Sequence, residues 1–504
     1  RTVLDTNGQL NVVSVSDVGG RRVCTVMHAD SEAANDAITA AAIAGGGRPP
    51  SDRAIETYKA KARHEARQSG TEQEIYLRTA FVGGIAYVDL APGQVARINA
   101  EGWSIVDDLT DGVPLFRRGQ GAGALPAPEF AGTAPEALRF VIDLLRGLFA
   151  LTAEQSMVIV ATLLEWHRTD TPHPILELVG PGGSGKSTLA EYVLSMTDPA
   201  ADGRRLTVGT RGEDVAAAAQ QRHVLLMDNA SRLDRASSDQ LCVMSTGGTV
   251  LVRQLYTNGA TANLKLHSPV LITAVSAVAT APDLQLRVNR IDLPARMGGY
   301  AAESELRLAW ANSRPRMLGA LYTLLANALR ELPAVRARAD WGHRLVDFDQ
   351  MGEAMAKAAG LTPGTFVAAV TQMRERMARR SASGDMFLTE LLRVLRDLAT
   401  KPTHTEQPSL RAVMKSSPAR AVLAYGEGRI EITARPGAIR ELLRPLVGVT
   451  WRENPIPATD RGVTDALRRV QPLLASMGVA VDEVPFGSKT LIRFDFVVGA
   501  VHED

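Results

Sequence analysis

Gly180-Pro181-Gly182-Gly183-Ser184-Gly185-Lys186-Ser187 is the stretch from which the rest of this chain can be read. Glycines at these spacings let successive backbone N–H groups turn inward and cradle phosphate oxygens. Lys186 sets a compact positive charge against the outer phosphates of a nucleoside triphosphate. Ser187 offers a hydroxyl to magnesium, and Thr188 extends the same face. The apolar run 175–179 ahead of the loop predicts a strand. The run 187–195 behind it predicts a helix, whose positive dipole end would point at the same anion. The expectation is ATP with Mg2+, held by Gly180, Pro181, Gly182, Gly183, Ser184, Gly185, Lys186, Ser187 and Thr188.

Outward from the loop, short apolar runs alternate with helical patterns. Strands are expected at 175–179, 205–208, 224–227, 270–275 and 289–293, with helices at 187–195 and 215–221. Such alternation predicts an α/β fold with a mostly parallel sheet and helices on both faces. Val224-Leu225-Leu226-Met227-Asp228 ends a buried run on a carboxylate, which assigns Asp228, with Ser187, to the metal. The plainer alternative is a strand-end Asp capping the next turn. Asn229 follows, where a glutamate would polarise the attacking water. An amide takes no proton but can orient water. The general base is left open between such a slow arrangement and another carboxylate, Asp234 or Glu213.

Val250-Leu251-Val252-Arg253-Gln254-Leu255-Tyr256 and Leu264-Lys265-Leu266-His267 flank Asn258-Gly259, a pair that tolerates positive φ, so a hairpin is expected. The stretch resembles the superfamily 3 helicases, AAA+ ATPases of viruses, phages and mobile elements that include poxvirus-type primase-helicases. Val252-Arg253, Tyr256, Lys265 and the strand to Thr273 carry the likeness. Asp228-Asn229-Ala230-Ser231-Arg232-Leu233, Thr246-Gly247-Gly248 and Arg253-Gln254-Leu255-Tyr256-Thr257 are similar to prophage and mobile-element ATP-binding proteins related to those helicases. The resemblance implies a homo-oligomeric ring, commonly a hexamer, with single-stranded DNA in a central channel. It implies DNA contacts from Arg253, Lys265 and His267. It implies catalytic roles for Lys186, Asp228, Asn229, Thr273 as the polar sensor, and Arg287 as an arginine reaching the neighbouring subunit's nucleotide. Arg290 is the nearby rival, and a lone arginine before a strand is ordinarily a solvated charge. Thr273 stands where the family usually carries asparagine.

Composition bounds the rest. The 504 residues carry a net charge of +1, a 45% hydrophobic and 22% charged share, and 5% aromatics. No global basic field advertises nucleic acid. Two distant cysteines, Cys24 and Cys242, form no disulfide framework or zinc cluster. No apolar run reaches a membrane span, so a cytoplasmic protein without a membrane partner is expected. The chain opens on Arg1, and a longer product is expected. The domain reading is an N-terminal α+β accessory domain at 1–132, a helical collar at 133–173, an ATPase core at 174–300, a helical region at 301–401 and a winged-helix-like module at 402–504. In that module Arg468, Arg469 and Lys489 are candidate DNA contacts, against solvated arginines on a protein-contact surface. The expected function is an ATP-dependent, ring-forming DNA helicase or translocase in replication of a phage, plasmid or integrated element, with a primase as a possible partner. The alternatives are a helicase loader or remodeler that does not unwind, and an ATP-gated oligomeric switch in antiphage defence.

Overall fold

The computed structural model describes residues 1–69, 72–119, 121–201, 207–209, 212–253, 261–295, 303–337, 341–384, 386–400, 422–426, 429–443, 457, 459–476, 478–486 and 489–497. It divides into two compact units, Arg1–Val370 and Thr371–Asp504.

The first unit opens with β1 (Thr2–Asp5), β2 (Leu10–Val18), β3 (Arg21–His28), α1 (Glu32–Ala44), α2 (Asp52–Ser69) and β4 (Glu72–Gln73). The strands pair in the order β3-β2-β1-β4. Ser31 starts α1 by accepting the Ala34 N–H at 3.2 Å, an N-cap with an acidic first turn behind it. Leu10, Val12, Ala29, Ala34 and Ala62 form the core beneath these helices. Next come β5 (Ile75–Tyr76), β6 (Thr79–Val82), β7 (Ile85–Ala91), β8 (Gln94–Asn99), β9 (Gly102–Asp107) and β10 (Leu115–Phe116), with β6 to β9 forming an antiparallel meander. The turn between β6 and β7 runs through Gly83 and Gly84, with φ of +60° and +80°. The chain between β10 and the helix that follows is strapped to the core. Gly123 N–H donates to Pro199 O at 2.7 Å and Glu129 N–H to Pro315 O at 2.9 Å.

The expected parallel sheet is the centre of this unit. It follows α3 (Ala134–Phe149) and α4 (Ala153–Glu165) and is built from β11 (Ile175–Val179), β12 (Leu225–Ala230), β15 (Val270–Ala274) and β16 (Val288–Asp292). The order is β12-β15-β11-β16 and every pairing is parallel. Thr207 adds a single parallel bridge to Leu226 at the edge. Between these strands lie α5 (Lys186–Thr197), α6 (Gly212–Ala219), α7 (Arg235–Thr246), the hairpin β13 (Gly248–Arg253) and β14 (Thr261–Leu266), and α8 (Pro282–Gln285). The Asn258-Gly259 turn lies outside the described residues. β11 and β15 are buried along their whole length, which is why they read as continuous apolar runs. The exception is Glu177. It is fully buried, ion-pairs with Arg290 at 2.6 Å and accepts the Val278 and Ala279 N–H groups. Arg290, the sequence's rival to Arg287, is therefore a packing partner of the central strand.

The helical region begins with α9 (Glu303–Arg336), α10 (Val346–Ala358) and α11 (Thr365–Gly384). The second unit holds α12 (Met386–Thr400), β17 (Val422–Gly426), β18 (Arg429–Ala434), α13 (Pro436–Leu443), α14 (Asp460–Ser476), β19 (Val479–Phe486) and β20 (Lys489–Val497). Its sheet is antiparallel in the order β17-β18-β20-β19. The stretch expected to be a winged-helix-like module contains α13, α14 and the hairpin β19–β20, with β17 and β18 completing its sheet. No single helix among the described residues is long and apolar enough to cross a membrane.

Candidate nucleotide site

Because β11 lies inside the sheet with β15 on one side and β16 on the other, the chain leaving it emerges at a switch in strand order, where open α/β sheets bind ligands. That chain is the glycine loop. Gly183 has φ +76° and Gly185 φ +89°, and Gly185 caps α5 in the left-handed conformation. A Cβ at Gly180 would meet Leu293 O at 2.7 Å and Ser184 Oγ at 2.8 Å, so the loop closes on its strand only with glycine there. Pro181, Gly182 and Gly183 face solvent, while Ser184 is buried with no hydrogen-bond partner for its hydroxyl among the described residues.

Lys186 is the first residue of α5 and is buried. Its ammonium donates to Gly180 O at 2.7 Å and Pro181 O at 2.8 Å, so it folds back over its own loop. Desolvation lowers its pKa, and the Asp228 carboxylate opposes that shift. Ser187 Oγ donates to Asp228 Oδ1 at 3.0 Å. Thr273 Oγ1 donates to the same oxygen at 2.6 Å and accepts the Asn229 N–H at 2.8 Å. The four residues singled out around Asp228 thus form one chain of hydrogen bonds across three elements: α5, β12 and β15.

Asn229 is held by the backbone as much as by bonds. Its φ is +55°, and a bulge between Met227 and Ala230 shifts the β12–β15 register at this point. Asparagine is among the few non-glycine residues that adopt this region readily. Its side chain is exposed. Asp234 is the N-cap of α7, accepting the Ser237 N–H at 2.8 Å, which lowers its pKa.

The donors suit magnesium. They are a hydroxyl and a carboxylate, hard oxygens that leave most of an octahedral shell to phosphate and water. No cluster of three or more His, Cys, Asp or Glu able to hold a metal occurs among the described residues, so the phosphates would have to complete any coordination here.

The remaining candidates lie elsewhere. Arg287 precedes β16 at the end of the sheet away from the loop, where its carbonyl accepts the Ile175 N–H at 2.9 Å. It is buried, and its guanidinium is engaged by Asp283 of its own chain at 2.8 Å. Lys265 is exposed near the root of the hairpin, opposite Thr249. Arg253 pairs with Thr261 through the backbone, and its side chain lies outside the described residues. His267 is half-buried with its ring stacked on His173. Arg468 is taken up by Glu483, at 2.7 Å and 3.0 Å, and by Asp465. The side chains of Glu213, Arg469 and Lys489 lie outside the described residues.

Two features went unread in the sequence. One is a buried ionic network of Arg78, Asp89, Arg118, Asp198 and Arg222, which ties the β6–β9 meander to the far end of α5. The other is the group His173, His223 and His267. Neither has a sequence signal, because the partners lie up to 120 residues apart.

Residues 142–375, which include every residue of this site, match the model of a family described as actinomycete integrative conjugative element replication protein. A comparison with curated proteins finds no match. Among solved structures the chain is similar to an SCCmec type IV Cch described as an active helicase, at 11% identity and a TM-score of 0.46, covering 99% of this chain and 97% of that one. It is also similar to the apo C-terminal region of NrS-1, at 11% identity and a TM-score of 0.41, covering 99% and 96%.

Proposed function

We infer that this chain is an ATP-hydrolysing replication protein of an integrated mobile element, working as a ring-forming DNA helicase or translocase. The observation that carries the reading is the hydrogen-bonded chain Ser187–Asp228–Thr273–Asn229 beside a glycine loop and a buried lysine. The family match over 142–375 supports the replication setting.

In this reading the loop N–H groups and the α5 terminus bind the triphosphate. Lys186 exchanges its two neutral loop carbonyls for anionic phosphate oxygens, which are stronger acceptors for its ammonium. A magnesium ion entering with ATP would be held by Ser187 and Asp228 and would neutralise phosphate charge. Thr273 fixes the Asp228 carboxylate and the Asn229 backbone together, so the exposed amide of Asn229 is the group placed to orient water. Arg287 would serve a neighbouring subunit only after release from Asp283. The hairpin would present Lys265 and Arg253 to single-stranded DNA. Arg468, Arg469 and Lys489 are secondary DNA candidates, with Arg468 needing release from Glu483.

Asn229 favours one other reading, a non-unwinding ATPase that loads or remodels, or that switches assembly state with nucleotide, because an amide cannot serve as a base. Strand displacement measured beside ATP turnover decides between them. Unwinding that vanishes in Lys186→Ala together with ATP binding is the expected result. ATP-dependent assembly with neither unwinding nor DNA-stimulated turnover would establish the switch instead, and retained ATP affinity in Lys186→Ala would refute the site.

A further inference from the structure

Two rigid elements span the distance between the nucleotide end of the sheet and the root of the hairpin. β11 runs back from the glycine loop to Pro174. α7 starts at the Asp234 cap, just past Asp228 and Asn229, and ends where β13 begins. At 12 residues α7 is about 18 Å long. At five residues β11 is about 17 Å. The lengths match, and the two are fastened together at the hairpin end by a reciprocal pair of buried bonds. His173 N–H donates to Ser245 O at 2.7 Å, and Ser245 Oγ donates to His173 O at 2.6 Å.

The returning strand is fastened to the same residue. His267 follows β14 directly, and its ring stacks on that of His173 with centroids 4.3 Å apart and planes 17° apart. The outgoing strand leaves through Gly247, whose φ of +78° favours glycine. Ser268 N–H ties the return to Met244 O at 3.3 Å. His173 itself sits between Pro172 and Pro174, which confines its backbone to extended conformations and stiffens it. It is buried, and neither of its ring nitrogens finds a hydrogen-bond partner among the described residues. What fixes it is the stack and the Ser245 pair.

We propose that His173, held by Ser245 and stacked on His267, is the positioning residue through which a load on the hairpin β13–β14 reaches the phosphate loop and Asp228. The proposal rests on the reading of that hairpin as the DNA-gripping element. A displacement of either hairpin strand moves His173. His173 is covalently continuous with β11 and bonded to α7, and both end at the nucleotide.

The test is the ratio of DNA-stimulated to basal ATP turnover in the full chain, with single-stranded oligonucleotide as probe. His173→Ala is expected to lower that ratio about 2–30-fold, while basal kcat and the KM for ATP stay within about twofold. His173→Phe keeps a ring for the stack and is expected to restore most of the ratio, a rescue that a general loss of stability would not give. Ser245→Ala removes the hydroxyl half of the latch and is expected to lower the ratio in the same direction, which keeps the proposal open to refutation if His173→Ala fails to fold. Full stimulation in folded His173→Ala and Ser245→Ala overturns the latch alone. A wild-type chain that hydrolyses ATP with no response to DNA overturns the motor reading and the latch with it.

Discussion

At the scale of single residues, the departures from the helicase pattern acquire physical reasons. Asn229 occupies a bulge with φ +55°. Glutamate would be strained there, so the backbone itself disfavours the usual base at this position. Asn229→Gly keeps the backbone and removes the amide. It is expected to lower ATP turnover about 100-fold without changing ATP affinity, as read by single-turnover kinetics. Unchanged turnover would free the amide of any catalytic role. Thr273 is fully buried and is bonded on two sides. Thr273→Val removes both bonds at nearly constant volume, leaving the Asn229 N–H without its acceptor. The expected cost is about 1–3 kcal/mol of folding stability with a larger loss in turnover than in ATP binding, measured by denaturant titration and nucleotide titration side by side. The glycine loop was legible because its pattern is local, eight consecutive residues. The bond network around Asp228 was legible only in its members, since the positive φ of Asn229 has no signature in the letters.

At the scale of elements, α7 is the instructive case. The sequence left Asp234 open as a general base. Its carboxylate is the helix cap, accepting the Ser237 N–H, and its pKa is lowered by that bond. Asp234→Ala is expected to cost about 1 kcal/mol of stability while kcat changes less than about twofold. A collapse of turnover at intact stability would return Asp234 to the role of base. Strands of the parallel sheet were read nearly to their ends because burial on both faces leaves an unbroken apolar run. The first 70 residues were read only as part of an α+β domain and not element by element, because β2 is buried over its first half and exposed over its second, which blurs the period-two alternation. β17 and β18 are short, five and six residues, and the ladder that pairs β17 with β18 and β18 with β20 carries them.

At the scale of the whole molecule, the buried histidines make stability depend on pH. Burial lowers His167 and His223 to about 4 and puts His173 well below the ordinary value of 6.5. Their folded forms stay neutral where unfolded forms take up protons, so stability is full above about pH 6.5 and is lost as pH falls toward 4. Glu165 acts in the opposite direction. Burial raises it to about 7, so its folded form binds a proton first and gains stability over part of that range. Three histidines against one carboxyl leave a net loss, and the urea midpoint is expected to be lower at pH 5 than at pH 7. A midpoint that holds or rises would show that these rings are solvated or paired in solution. Assembly is the other property of this scale. Particles imaged with ATP and single-stranded DNA are expected to show subunits closed around a strand, and a persistent monomer under those conditions would remove the ring.

Letters alone determined the glycine loop, its lysine and serine, the acid at the end of a buried strand, and the parallel α/β core, because each depends on residues adjacent in the chain or on a run of one polarity. The tertiary structure alone decided that Arg290 belongs to Glu177 and that Gly123 and Glu129 are strapped to Pro199 and Pro315. It also decided that His173, Ser245 and His267 meet at the hairpin's root. The physical reason is the same throughout: an ion pair or a ring stack forms between side chains that folding brings within a few ångströms, and sequence separation carries no trace of that distance.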